Sequence, residues 1–171
     1  MTCRTLLALT LGLLMSQSVV PCSKAQSRVS LPTSEIQRIR QQFQRAVPMF
    51  HQSSQFGPGR RDGSIAAFEQ SWAQRDAAIA PFLGTWHSQD TSYSIYPSRT
   101  SGRVCVIFES PAANIVPNNL ALGTVGNGAL VVTGINTMTG RNNMLILRES
   151  TYLSVASIEG NQSSSYPYSA F

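Results

Sequence analysis

Apolar residues recur three and four positions apart in two stretches of the first half of the chain, the spacing that places side chains on one helical face. The first stretch follows Ser34 and Gln37, which form a capping-box pattern, and Pro48 is expected to end it. The second follows Ser64 and stops before Pro81. The pattern predicts helices at about 34–47 and 64–80, with a loop at 49–63 between them. Their apolar stripes are Ile36, Ile39, Phe43 and Ala46 or Val47, then Ile65, Phe68, Trp72 and Ile79.

After Pro81 the hydrophobic period changes from helical spacing to two, and β-branched and aromatic residues dominate. Asn127-Gly128 is the clearest turn signal, because both residues accept the positive φ angles of a primed hairpin turn. A polar loop is expected at 134–143, and 161–171 is either a frayed tail or one last edge strand. Seven strands are predicted, at 83–87, 91–96, 103–109, 120–125, 129–133, 144–148 and 152–159.

Strands that follow one another without helical interludes predict an antiparallel meander. The fold class is therefore α+β, with two N-terminal helices followed by a meander that is open or closed into a small barrel. Because Pro81 alone separates the two parts, we expect a single domain over 34–171. Its helical part is 34–80, its β part 82–160 and its tail 161–171.

The first 25 residues have the three-part pattern of a secretory signal peptide. Arg4 supplies a positive charge, 6–20 is a short apolar run, and Ser23-Lys24-Ala25 offers small residues for cleavage. The alternatives are a retained N-terminal anchor and a lipoprotein acylated at Cys22, although Pro21 fits poorly before an acylated cysteine. The sequence thus predicts an exported protein that is periplasmic, lumenal or extracellular, with 26–33 as a tether and no stable membrane span after cleavage.

Cleavage after Ala25 would change both charge and cysteine content. The whole chain carries a net charge of +5; without Arg4 and Lys24 it keeps eleven basic residues, all arginine, against eight acidic ones. A net charge of +3 without a dense basic stripe argues against a nucleic-acid partner. Cys105 would be the single remaining cysteine, and its apolar neighbours predict a buried, inert thiol.

Motifs for catalysis or metal binding are missing from the sequence. His87 and Asp90 could pair near Ser88 or Ser92 as in a hydrolase, and Asp90 and Glu109 could form a carboxylate pair. However, the sequence has no Gly-x-Ser-x-Gly nucleophile elbow. Its two histidines, His51 and His87, do not have the spacing of a zinc site. We therefore expect no metal, no cofactor and no enzymatic activity, with an unrecognised hydrolase as the alternative.

Phe82-Leu83-Gly84-Thr85-Trp86 resembles the Gly-x-Trp opening of lipocalin-like proteins, and the resemblance extends over about residues 82–168. It implies a short helix before a first strand that carries a buried tryptophan. It also implies that an arginine from a late strand covers Trp86, and Arg148 is the matching residue. The family's Thr-Asp-Tyr motif is absent, with Ser150-Thr151-Tyr152 as the nearest approach, and a β region of about ninety residues is short for a roomy cavity.

Two binding functions follow from these observations. The first is an exported protein that binds an unknown protein or a small apolar ligand through its barrel or sheet. The second is an accessory subunit that docks on an envelope or membrane complex through its helices. Arginine and tyrosine are common interface anchors, so Arg38, Arg45, Tyr166 and Tyr168 are the candidate interaction residues.

Overall fold

The computed structural model describes residues 31–52, 63–88, 91–110, 120–137, 140–158 and 166–170. The described chain folds into two helices followed by an antiparallel β-barrel, which confirms the α+β class. The predicted signal peptide and most of the tether lie outside the described residues. The helices are α1 (Thr33–Gln52) and α2 (Gly63–Ala73), and a short 3₁₀ helix (Ala80–Phe82) leads into the barrel.

Helix α1 continues for a full turn beyond the predicted end at residue 47, with Pro48 inside it. Proline removes one backbone donor and disfavours this geometry, so contacts outside the helix must stabilise the last turn. Phe50 supplies them: its ring lies 6.3 Å from the ring of Phe43 and 5.9 Å from that of Tyr152. The prediction of an end at Pro48 was therefore wrong because tertiary packing outweighs the local penalty.

Helix α2 ends at Ala73, well before the predicted end at residue 80. The reason is Asp76, whose carboxylate accepts hydrogen bonds from the backbone N–H of Gly102 at 2.6 Å and from the Ser101 hydroxyl at 2.9 Å. These bonds hold the pKa of Asp76 below its ordinary value, the Gly102 bond contributing most. The residues after α2 are thus tied to the turn between the second and third strands.

Eight strands follow one another around the barrel, each antiparallel to its neighbours. The last strand pairs with the first through Trp86↔Ala170 and His87↔Ser169, so the predicted tail supplies the strand that closes the sheet. The strands are β1 (Gly84–Ser88), β2 (Thr91–Pro97), β3 (Arg103–Glu109), β4 (Leu120–Gly126), β5 (Ala129–Thr137), β6 (Gly140–Glu149), β7 (Tyr152–Ser157) and β8 (Tyr166–Ala170).

Two turn regions show how local chemistry sets the strand lengths. Asn127 and Gly128 both have positive φ angles, 53° and 67°, as the predicted hairpin requires. The predicted loop at 134–143, in contrast, is mostly strand: β5 and β6 remain paired out to Thr137↔Gly140. A bulge at Gly134 (φ 69°) makes this possible, because the Asn143 side-chain oxygen accepts the Gly134 N–H at 3.1 Å.

Apolar side chains form two clusters, one inside the barrel and one outside it. The inner cluster alternates along the strands, as Val104, Val106 and Phe108 do on β3. The outer cluster joins α1 to the sheet: Ile36, Ile39 and Phe43 pack on outward residues of β5, β6 and β7. Helix α1 therefore packs on the outer face of β5, β6 and β7, and β2–β4 lie on a different side of the barrel.

Candidate functional site

The two ends of the barrel differ, and the difference locates the candidate site. At one end the 3₁₀ helix places Phe82 and Leu83, which are 2% and 0% exposed, against the inner cluster. The buried Trp86 indole donates its N–H to the Phe82 carbonyl at 2.9 Å, which fixes this plug to β1. Gly84 lies between them with φ 116°, a backbone conformation that favours glycine. We call this the plugged end.

Arg148 completes the plugged end from β6. Its guanidinium lies over the Trp86 ring, 5.6 Å from the centroid, and bonds Glu69 of α2 at 3.1 Å. It also donates to the backbone carbonyls of Pro81 and Ser150, the latter at 2.9 Å. The structure therefore brings together Gly84, Trp86 and Arg148, the three residues that the sequence singled out, in a structural cluster that joins α2, the 3₁₀ helix and two strands.

The opposite end has an aromatic and thioether floor. The Tyr93 ring lies 5.1 Å from the Phe108 ring, and the Tyr93 hydroxyl donates to the Met144 sulfur at 3.3 Å. Phe108 and Met144 are 9% and 8% exposed, whereas Val106 and Ile146, one step deeper, are at 0%. The exposed fraction of the inward side chains thus rises from 0% at Val106 and Ile146 to 8–9% at Met144 and Phe108. We call this the open end, to distinguish it from the plugged one.

Small neutral residues surround this floor. Strand alternation places Ser88, Thr91, Asn142 and Ser157 on the inner face at the open end, with Ser157 directly opposite Met144 in the pairing of β6 and β7. Among the strand side chains that the structure describes, Arg148 alone is charged and faces inward, and it belongs to the plugged end. Where the structure describes it, the rim is uncharged and lies over an apolar floor, which suits a small uncharged ligand and is a poor environment for an ion.

Deeper in the barrel there is little room. The inward side chains of the middle layers, Ile95, Val104, Leu130, Val132 and Leu153, are all 0% exposed, so no water-sized space borders them. An eight-stranded barrel is wide enough for its own side chains or for one small ligand. Here the side chains occupy the middle, and a ligand would lie at the open end.

The predicted interaction residues lie on two elements, α1 and β8. Arg38 pairs with Glu35 within α1, its Nε donating at 2.9 Å, and this bond lowers the pKa of Glu35. Arg45 is exposed on the same helix. Tyr166 and Tyr168 lie on β8, opposite Val155 and Leu153 of β7, and their side chains lie outside the described part of the structure.

Three of the candidate catalytic residues lie in one outward row, because Ser92 of β2 is opposite His87 of β1 and opposite Glu109 of β3. His51 is exposed at the end of α1, where its Nδ1 lies 3.4 Å from the Tyr152 hydroxyl, and His87 faces outward from β1. Ser92 donates its hydroxyl to Glu109 at 3.0 Å, and Asp90 lies outside the described residues. The described residues contain no group of three His, Cys, Asp or Glu side chains arranged to hold a metal ion.

Cys105 corrects one prediction from the sequence. It is half-buried and faces outward from β3, because Val104 and Val106 occupy the inward positions on either side of it. The prediction of a buried thiol was wrong because the apolar residues around Cys105 alternate between the two faces of β3. The inward residues fill the barrel, and the outward ones remain in contact with solvent.

Sequence reasoning missed the role of Arg40. Its guanidinium donates to the backbone carbonyls of Asn127 and Gly128, at 3.1 and 2.8 Å, and so clamps α1 to the hairpin between β4 and β5. Nothing local distinguishes Arg40 from its neighbours on α1. Tyr93, in contrast, could have been found, because the alternation in β2 places it inward with Ile95.

Comparison with protein-family models, with curated proteins and with solved structures gave no match. Within the described parts of the chain, neither helix combines the length and apolarity that a membrane span requires.

Proposed function

We propose that this chain is an exported, non-enzymatic binding protein that takes a small, uncharged, apolar ligand at the open end of its barrel. The observation that carries the proposal is the contrast between the two ends: Arg148 and the 3₁₀ helix plug one, while Tyr93, Phe108 and Met144 form an apolar floor, 2–9% exposed, at the other. The meander is compatible with a lipocalin-like barrel, which supports binding as its use.

The packing of α1 favours this function over docking through that helix. The apolar stripe of α1 (Ile36, Ile39 and Phe43) is 2–6% exposed against β5–β7. A partner that bound α1 would therefore meet mainly its polar face, since docking grooves accept the apolar face of an amphipathic helix.

A neutral apolar fluorophore, N-phenyl-1-naphthylamine, tests the ligand class. We expect saturable fluorescence enhancement by the purified protein at a single site. Ser157→Phe would fill the open end opposite Met144 and should abolish the enhancement. Ser157→Ala is the matched control: it removes the same hydroxyl without adding volume and should leave binding within about twofold of wild type. Absence of saturable binding, or equal binding by both variants, would contradict the proposal.

Export is tested separately by sequencing the N-terminus of the protein recovered outside the cytoplasm. We expect a start near Gln26, from the charge, apolar run and small-residue site of the first 25 residues. A start at Met1 would contradict export by cleavage, and a lipid-modified Cys22 would replace it with membrane anchoring.

A further inference from the structure

The outer surface of β2–β4 is apolar and partly exposed, on a part of the sheet away from the strands that α1 covers. Its central residues are Cys105 and Ile107 on β3, both half-buried, with Leu122 beside Cys105 on β4. Tyr96 on β2 and Leu120 on β4 are 48% and 42% exposed. We call these five residues the outer patch. Exposed apolar groups that cluster in this way are typical of interaction sites.

Charges of opposite sign flank the outer patch along β3. The outward residues of this strand are, in order, Arg103, Cys105, Ile107 and Glu109, and both charged residues are exposed. Arg103 and Glu109 are equally far from Val106, so the strand is positive at one end, negative at the other and apolar between.

We propose that the outer patch binds a second copy of this chain in a twofold-symmetric dimer. A twofold axis that lies between the two facing sheets, perpendicular to β3 and level with Val106, brings each β3 antiparallel over its copy. Arg103 of one copy then faces Glu109 of the other, and the pairing occurs twice, as a symmetric interface requires. Arginine and carboxylate form the strongest charge-assisted pairs.

The same axis matches the sizes of the apolar residues. Outward residues that are paired across β2, β3 and β4 form rows, and Tyr96–Cys105–Leu122 and Ser94–Ile107–Leu120 are two neighbouring rows on either side of Val106. The axis therefore places the first row of one copy over the second row of the other. Leu122 meets Leu120, Cys105 meets Ile107, and the large Tyr96 ring lies over Ser94, a small residue only 7% exposed. One rotation therefore makes both the charges and the side-chain sizes of the two copies complementary, which favours a second copy over an unrelated partner.

Charge reversal tests the dimer without disturbing either core, since Arg103 and Glu109 are exposed. Sedimentation of the purified full protein should show a reversible monomer–dimer equilibrium that weakens as salt increases. Arg103→Glu and Glu109→Arg should each raise the dimer dissociation constant by about tenfold or more, because each places like charges opposite one another twice. Arg45→Glu, on α1, is the matched control and should leave the equilibrium unchanged.

Mixing the two variants gives the decisive result. A copy with Arg103→Glu is negative at both positions and a copy with Glu109→Arg is positive at both, so the mixture should form a heterodimer although neither variant dimerises alone. A monomeric wild type would overturn the proposal. So would a dimer that the reversals do not weaken, or a mixture that stays monomeric while both variants keep wild-type circular dichroism.

Discussion

Arg148 lies over the indole of Trp86 and, from that position, joins four separate segments of the chain. The guanidinium is 5.6 Å from the ring centroid, and its N–H groups reach Glu69 and the carbonyls of Pro81 and Ser150. These contacts use two properties of arginine: the planar cation lies over the ring, and the forked donors bind several acceptors at once.

Trp86→Ala should be among the most destabilising substitutions in the barrel. The side chain is 1% exposed, and its loss removes both its burial and the surface on which Arg148 lies. We expect a decrease of about 3–5 kcal/mol in the free energy of unfolding, measured by denaturant titration. Trp72→Ala, at a partly buried position, is the control and should cost less. A cost below about 1 kcal/mol for Trp86→Ala would contradict its place in the core.

Arg148→Met keeps the length of the side chain but removes its charge and its donors. The Glu69 carboxylate and the Pro81 carbonyl then each lose a hydrogen-bond partner. The loss is costly because the side chains of Arg148 and Glu69 are both less than one fifth exposed. We expect a loss of about 2 kcal/mol in stability. Adding Glu69→Gln should restore part of that loss, and a double-mutant cycle measures the coupling. Additive losses would contradict a direct pair.

Much of this fold could be predicted from the sequence, and the failures have identifiable causes. The change of period at Pro81, the Asn127-Gly128 turn and the strand Arg103–Glu109 are local signals, and the structure follows them. The extension of α1 past Pro48 and the strand pairing past Gly134 depend on partners distant in sequence. Local sequence patterns carry no information about such partners. The predicted ends of helices and strands are therefore wrong where tertiary contacts override local propensity.

The candidate site also has one part that the sequence could predict and one part that it could not. The Trp86–Arg148 relationship could be anticipated because a resemblance pointed to both residues. The open end could not, because it depends on which row of inward residues is exposed once β8 closes the barrel. Tyr93, Phe108 and Met144 lie on three strands that have no sequence feature in common.

Gly123→Ala should destabilise the barrel although it adds a single methyl group. A Cβ at this inward position of β4 would lie 2.5 Å from a Leu130 methyl carbon and 2.8 Å from one of Val104. Both neighbours are fully buried, so we expect a cost of about 1–3 kcal/mol from overpacking. Gly126→Ala on the same strand has no atom within 4 Å of the added carbon and is the matched control. Equal thermal midpoints for the two variants would contradict close packing around Gly123.

Asp76 should make stability depend on acid pH. Its pKa in the folded protein lies below the ordinary value of 3.8, so the folded state holds the carboxylate better than the unfolded state does. This contribution is fully present above the unfolded pKa and is lost as the pH falls through the folded one. Asp76→Asn should therefore be less stable than wild type near neutrality, and the difference should narrow below about pH 4. Denaturant titrations at a series of pH values measure it; a constant difference would contradict the role of the carboxylate.

Replacing both histidines with glutamine should leave the fold and ligand binding intact. His51 lies at the end of α1 on the outside of the barrel and His87 faces outward from β1, so neither touches the open-end floor of Tyr93, Phe108 and Met144. In a binding protein the double variant should keep its circular dichroism and bind N-phenyl-1-naphthylamine within about twofold of wild type. An enzyme that used either histidine as acid or base would instead lose about 10²-fold or more of its activity. A folded double variant that binds the probe but no longer supports the protein's function in cells would overturn the non-enzymatic proposal and assign the activity to the histidines.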